Sequence, residues 1–181
     1  MSRTARYIVR AEDLAGRRFL ESYLRSVGVD LREVRSESAP PGRGSGKQWV
    51  DAQYPIEVRA LRTKRPGQKV LLVTTDADEL TVAERKRRLA DALANAALTP
   101  RTDAESIAVV IPRWEIETWA EHVLTGASVS EDARMGWDVA KSERDCHAAG
   151  GKLAEHRSPG PACCPPSLVA VDGELARVTR R

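Results

Sequence analysis

The chain has 181 residues, of which 41% are hydrophobic, enough for one core of ordinary domain size, so a large multidomain machine is excluded. Twenty-nine Lys and Arg stand against 26 Asp and Glu, and the resulting net charge of +3 selects no partner by itself. The longest apolar runs fall far short of the roughly 18 residues that a membrane-spanning helix needs, so no membrane association is expected. No apolar leader follows Met1, and three cysteines, two of them adjacent at Cys163 and Cys164, do not make a secreted disulfide framework. The expected address is the cytoplasm.

In chain order, Tyr7-Ile8-Val9-Arg10 reads as a short strand, followed by Glu12 and Asp13. A helix follows, on which Phe19, Leu20, Tyr23, Leu24 and Val27 recur at helical spacing up to Gly28. Residues 29–34 read as a second, weaker strand. Residues 36–47, rich in Ser, Pro and Gly, have the composition of a mobile loop. Residues 48–61 suggest a helix in which Pro55 marks either a start or a kink.

Residues 69–75, Lys-Val-Leu-Leu-Val-Thr-Thr, form the clearest strand, a nearly continuous apolar run of the kind buried on both faces of a parallel sheet. It ends in Asp76-Ala77-Asp78. Thr81 and Glu84 have capping-box spacing, which predicts a helix from there to about Ala97. A further strand over 106–111 stops at Pro112, and a helix over 114–124 follows through Ile116, Trp119, Ala120 and Val123. Two more helices are expected at 142–156 and 167–178, joined by a Pro/Cys/Gly turn. Alternating strands and helices give an α/β fold with a mainly parallel sheet over 1–125. A helical C-terminal extension over 126–181 packs on the same domain.

Ligands of open parallel sheets bind beyond the carboxyl ends of the strands, and there the acids cluster. Glu12 and Asp13 follow the first strand, Asp76, Asp78 and Glu79 the central one, and Glu115 and Glu117 the last. Such a concentration of carboxylates suits a hard divalent cation, Mg²⁺ or Mn²⁺, able to polarise a phosphodiester. Two plainer readings compete: Asp76-x-Asp78 also suits a strand-to-helix turn, and Glu117 suits the first turn of a helix dipole.

Basic residues supply candidate phosphate contacts at Arg62, Lys64 and Arg65, and in the block around Arg85, while a solvated Arg-rich surface explains the same composition. The stretch Gly42-Arg43-Gly44-Ser45-Gly46-Lys47 lacks P-loop spacing, although Lys47 and its neighbouring amides could meet a phosphate. Cys146, His147, His156, Cys163 and Cys164 match no standard zinc spacing. Trp114 and Trp119 read as core anchors, with base stacking by Trp114 beside Arg113 as the alternative.

The strand ending in Glu12 and the later strand ending in Asp76-x-Asp78 resemble the TOPRIM fold of topoisomerases, primases and overcoming-lysogenisation-defect nucleases. Residues 9–13 with Phe19-Leu20, the loop 44–48, Asp76 to Arg85, and Ile111-Pro112 with Ile116-Glu117-Thr118-Trp119 further resemble a group of small bacterial TOPRIM-like proteins. The resemblance covers about residues 5–123 and touches 164–168. It implies that Glu12 is a general acid/base or metal-binding glutamate and that Asp76 and Asp78 are catalytic metal ligands, while Glu117 is a candidate metal ligand from its place after the last strand alone. It also implies an Mg²⁺- or Mn²⁺-dependent nuclease that works with an ATPase partner in anti-phage defence, with nucleic acid as substrate and a homo-oligomer as one form of assembly. Arg10 and Ala11 before Glu12, and Asp13 after it, depart from the TOPRIM pattern, which makes Asp13 a substitute candidate. The alternative is a catalytically inactive TOPRIM-like adaptor that binds an ATPase or nucleic acid.

Overall fold

The computed structural model describes residues 5–42, 44–65, 67–134, 136, 138–155 and 164–179. Four strands, β1 (Tyr7–Ala11), β2 (Val34–Ser38), β3 (Val70–Thr74) and β4 (Ile107–Val110), form one sheet in the order β2-β1-β3-β4, with every neighbouring pair parallel. Among the described residues six helices flank it: α1 (Leu14–Ser26), α2 (Gly46–Arg62), α3 (Val82–Asn95), α4 (Ile116–Thr125), α5 (Val139–Glu155) and α6 (Pro166–Thr179). This is the α/β architecture expected from the sequence, and the sheet is parallel throughout. No helix among the described residues is long and apolar enough to cross a membrane.

The strand residues divide by parity. Tyr7, Val9, Val70, Leu72, Ala108 and Val110 face one core with α1, α4, α5 and α6, while Ile8, Leu71, Val73, Ile107 and Val109 face a second core with α2 and α3. All residues of β1, β3 and β4 are therefore buried, as their uninterrupted apolar runs require of strands covered on both sides. Arg10 is the exception in type. It lies on the α2 face at 2% exposure, where Glu57 of α2 pairs with its guanidinium and also accepts from Arg35 of β2 at 2.6 Å.

Several boundaries differ from the sequence reading. The second strand is residues 34–38 rather than 29–34. Asp30 instead accepts from the Arg32 amide at 2.9 Å and caps a 3-10 turn, Leu31–Glu33, ahead of β2. The polar Val-Arg-Ser-Glu-Ser run escapes a hydrophobic pattern because β2 is an edge strand, joined to β1 by its backbone and wet on alternate side chains. The loop is correspondingly shorter, and α2 begins at Gly46. Pro55 sits inside α2, buried, and removes only the amide that would have reached the Asp51 carbonyl. The capping box forms as expected, with the Glu84 amide on Thr81 Oγ1 at 3.1 Å and the Thr81 amide on Glu84 Oε2 at 2.7 Å.

Helices α5 and α1 pack closely because α5 carries a Gly150-Gly151 pair. A Cβ on Gly150 would meet the Phe19 carbonyl oxygen at 2.1 Å, whereas one on Gly173 of α6 meets nothing within 4 Å. Gly173→Ala is therefore expected to stabilise the fold by ~1 kcal/mol through helix propensity. Gly150→Ala should instead destabilise it by about 1–3 kcal/mol through overpacking. Denaturant unfolding of the two variants measures these opposite signs.

Candidate active site

The parallel pairing of β1 with β3, Ala11 opposite Thr74, sets Glu12 beside Thr75 and Asp76. The Glu12 amide donates to the Thr74 carbonyl at 3.0 Å, and Glu12 Oε2 accepts from Thr75 Oγ1 at 2.8 Å and from the Asp76 amide at 3.0 Å. Behind it, Thr75 Oγ1 accepts from Arg85 Nη2 at 2.9 Å and Nε at 3.2 Å, and Arg85 pairs with Asp51 of α2 at 2.8 Å. The start of α2 lies directly against the glutamate, since a Cβ on Gly46 would be 2.5 Å from the Glu12 carbonyl oxygen. A carboxylate carried at the end of β1 is thus held through one oxygen by the two residues that follow β3, with its second oxygen left for other work.

Asp76 is the electrostatic centre. Burial pushes its carboxyl well above the usual range, and the negative charges of Glu12, Asp13, Glu117 and Asp78 push it further. Burial also raises Glu12, against the hydrogen bonds from Thr75 and the Asp76 amide and the charge of Lys47. Glu117 is raised by burial and then by the charges of Asp13 and Glu115. Asp13 caps α1, its Oδ1 accepting from the Gly16 amide at 2.8 Å, so this substitute candidate for Glu12 has a structural task of its own. Burial raises its carboxyl as well.

Asp78 is arranged differently from Asp76. Its backbone has φ of 50°, its carbonyl accepts from Arg113, and its Oδ2 is ion-paired with Lys47. Among the described residues no three His, Cys, Asp or Glu side chains stand ready as a metal-ligating group. The donor set nevertheless fits a hard divalent cation: every candidate is a carboxylate, and Asp78 Oδ1 is buried without a hydrogen-bond partner.

Beside Asp76 opens a cavity of about 560 Å³, lined by Asp13, Asp76, Glu115, Glu117, Arg134 and Glu143 among others. Glu115, 8% exposed, accepts from Arg134 Nε at 3.2 Å through Oε2, and its Oε1 is buried and unpartnered. Sequence reasoning noted Glu115 only as an acid after the last strand, although its i, i+2 spacing with Glu117 was available. Arg134 and Glu143 come from the segment after α4 and from α5, and no sequence pattern ties them to the strand ends.

Of the five expected nucleic-acid contacts, only Lys47 stands at this site. Arg85 departs from that expectation: it is 1% exposed and spends its guanidinium on Thr75 and Asp51. Arg62, Lys64 and Arg65 lie at the opposite, amino edge of the sheet around a cavity of about 300 Å³ that Glu105 and Lys69 also line. Arg62 there binds Glu105 at 2.6 Å and the carbonyls of Thr99 and Pro100.

The zinc candidates are not brought together. Cys146 is fully buried in the core, where burial pushes its thiol up. Cys164 lies 3.1 Å from His122 Nε2, and His156 and Cys163 lie outside the described residues. Arg43 of the glycine loop lies outside them too. Trp119 is a core anchor bonded to Ser167 Oγ at 2.8 Å, and half-buried Trp114 is covered by Arg113 at 4.1 Å.

Neither a protein-family model nor a curated protein matches this chain. Among solved structures it is similar to the C-terminal region of the OLD protein of Xanthomonas campestris pv. campestris, at 14% identity and a TM-score of 0.39, over 97% of this chain and 96% of that one.

The raised Asp76 carboxyl makes the site a cost to the fold at neutral pH. Between the unfolded value of 3.8 and the raised folded value, the folded state binds a proton that the unfolded state releases, so this penalty is relieved as pH falls from the raised value toward 3.8. In divalent-free buffer, thermal denaturation should show Tm rising as pH drops from neutral. The rise ends where Glu105, held low by the hydrogen bonds from Arg62, takes up its proton. Asp76→Asn should raise Tm at neutral pH and flatten that slope.

Proposed function

We propose that the chain is a divalent-metal-dependent phosphodiesterase acting on nucleic acid. The observation that supports this reading is Asp76, a carboxylate under the simultaneous charge of Glu12, Asp13, Glu117 and Asp78 at the carboxyl edge of a parallel sheet. A folded protein retains such mutual repulsion at a cost, which a cation offsets.

Mg²⁺ or Mn²⁺ held by Glu12, Asp76, Asp78 and Glu117 would polarise the phosphodiester and supply an activated water. The protein's own contribution is positional. Thr75 and the Asp76 amide fix one oxygen of Glu12 and leave Oε1 to bind or to accept a proton, a task helped by the upward displacement of this carboxyl. The cavity beside Asp76 gives a backbone phosphate room to enter. In the setting the sequence resemblance implies, this activity belongs to an effector that works with an ATPase partner in anti-phage defence.

A second reading, a non-catalytic adaptor binding an ATPase or nucleic acid, is favoured by the ion pair that engages Asp78. Cleavage assays on DNA and RNA with Mg²⁺ or Mn²⁺, with and without an ATPase partner, separate the two. The nuclease reading expects metal-dependent cleavage that falls by about a hundredfold or more in Asp76→Ala and in Asp78→Ala. No cleavage under any of these conditions, by a chain that remains folded, leaves the adaptor.

A further inference from the structure

Two cations flank Asp76, each bound to a carboxylate that is only half used. Lys47 holds Oδ2 of Asp78, while Asp78 Oδ1 is buried and accepts nothing. Arg134 holds Oε2 of Glu115 at 3.2 Å, while Glu115 Oε1 is buried and accepts nothing. Buried carboxylate oxygens without partners are costly, and a lone monovalent cation on the other oxygen is a poor substitute for full coordination.

Both cations can leave. The Arg134 side chain is 64% exposed and that of Lys47 is 23% exposed, and each reaches its carboxylate from outside the sheet. The backbone beneath Lys47 is fixed, because Gly46 abuts Glu12, so departure is a swing of a flexible four-carbon stem rather than a movement of α2. Arg134 feels Asp78 and Asp76 in addition to Glu115, which puts it over the same acidic centre that Lys47 approaches from α2.

We propose that Lys47 and Arg134 are the phosphodiester-binding groups of this site, and that nucleic acid and divalent metal bind it cooperatively by exchanging ion-pair partners. The incoming phosphate takes Lys47 and Arg134, and the freed Asp78 and Glu115 turn to the metal. Each ligand removes the competitor of the other, so each tightens the other's binding by the same factor. Without either ligand, the two cations screen the carboxylates around Asp76. The inference rests on the metal-dependent reading above and adds Arg134 and Glu115 to it. It also accounts for the lack of a ready metal-ligating trio among the described residues.

The test is calorimetric titration with Mn²⁺ at fixed ionic strength, on wild type, Lys47→Ala and Arg134→Ala, each alone and with saturating nuclease-resistant phosphorothioate DNA or RNA oligonucleotide. The expected result is that oligonucleotide tightens Mn²⁺ binding to wild type about tenfold. Each substitution should tighten Mn²⁺ binding to the bare protein and shrink the effect of the oligonucleotide. Circular dichroism checks that the variants are folded. The inference is overturned if Mn²⁺ binds wild type equally well with and without oligonucleotide and the substitutions change nothing. Absence of Mn²⁺ binding to every variant under every condition overturns the metal-dependent reading itself, and the exchange with it.

Discussion

The hydroxyl of Thr75 has one proton, and the arrangement of the site follows from where that proton goes. Two nitrogens of the Arg85 guanidinium occupy the acceptor side of the oxygen, so the proton is committed to Glu12. A fully buried arginine thus reaches the acidic edge through a single threonine. Because Arg85 also pairs with Asp51, the same chain of contacts ties α3 to α2 and both to the junction of β1 and β3. The hydrogen bonds of Arg85 and of the Thr75 hydroxyl in this network all lie within 3.2 Å, which fixes the Glu12 oxygen that they reach.

Parallel strands give the sheet two unlike edges, and the charge of the molecule is sorted between them. At the carboxyl edge, chain turns lead into α1 and α4, whose N-termini favour negative charge, so Asp13 as a cap and Glu117 in a first turn are stabilised locally although they crowd Asp76. At the amino edge, Arg62 with Glu105, and Arg101 and Arg177 with Glu174, form neutralising pairs that fasten α2 and α6 to the segment entering β4. Lys64, Arg65 and Lys69 leave the amino edge with an excess of basic groups. The carboxyl edge carries an excess of carboxylates met in part by Lys47 and Arg134, and this asymmetry is the physical basis for placing function there.

Much of the architecture was legible in the sequence because three of the four strands are covered on both faces and are apolar apart from Arg10 and Thr74. The β1, β3 and β4 runs, the capping box at Thr81 and Glu84, and the core role of Trp119 are local patterns with local causes. The edge strand β2 was displaced in the reading because its hydrogen bonds are made by backbone, which leaves no apolar trace. Arg85 was misplaced for a related reason. In a run of four basic residues, composition does not distinguish the one that turns inward, since that choice depends on Asp51 and Thr75, distant in the chain.

The sequence by itself determined the α/β class, the strand ends on which acids fall, and the pairing of Glu12 with the Asp76-x-Asp78 turn as a candidate centre. These follow from side-chain periodicity and from the rule that parallel sheets gather their loops at one edge. Only the tertiary structure decided which acids meet, which oxygens remain unpartnered, and which basic residues face them. Arg62, Lys64 and Arg65 went to the far edge and Arg85 into the core, while Arg134, Ser142 and Glu143 were brought to the cavity from segments with no motif. The reason is that periodicity records whether a side chain is inside or outside, whereas charge pairing depends on through-space distance, which exists only once the helices have packed.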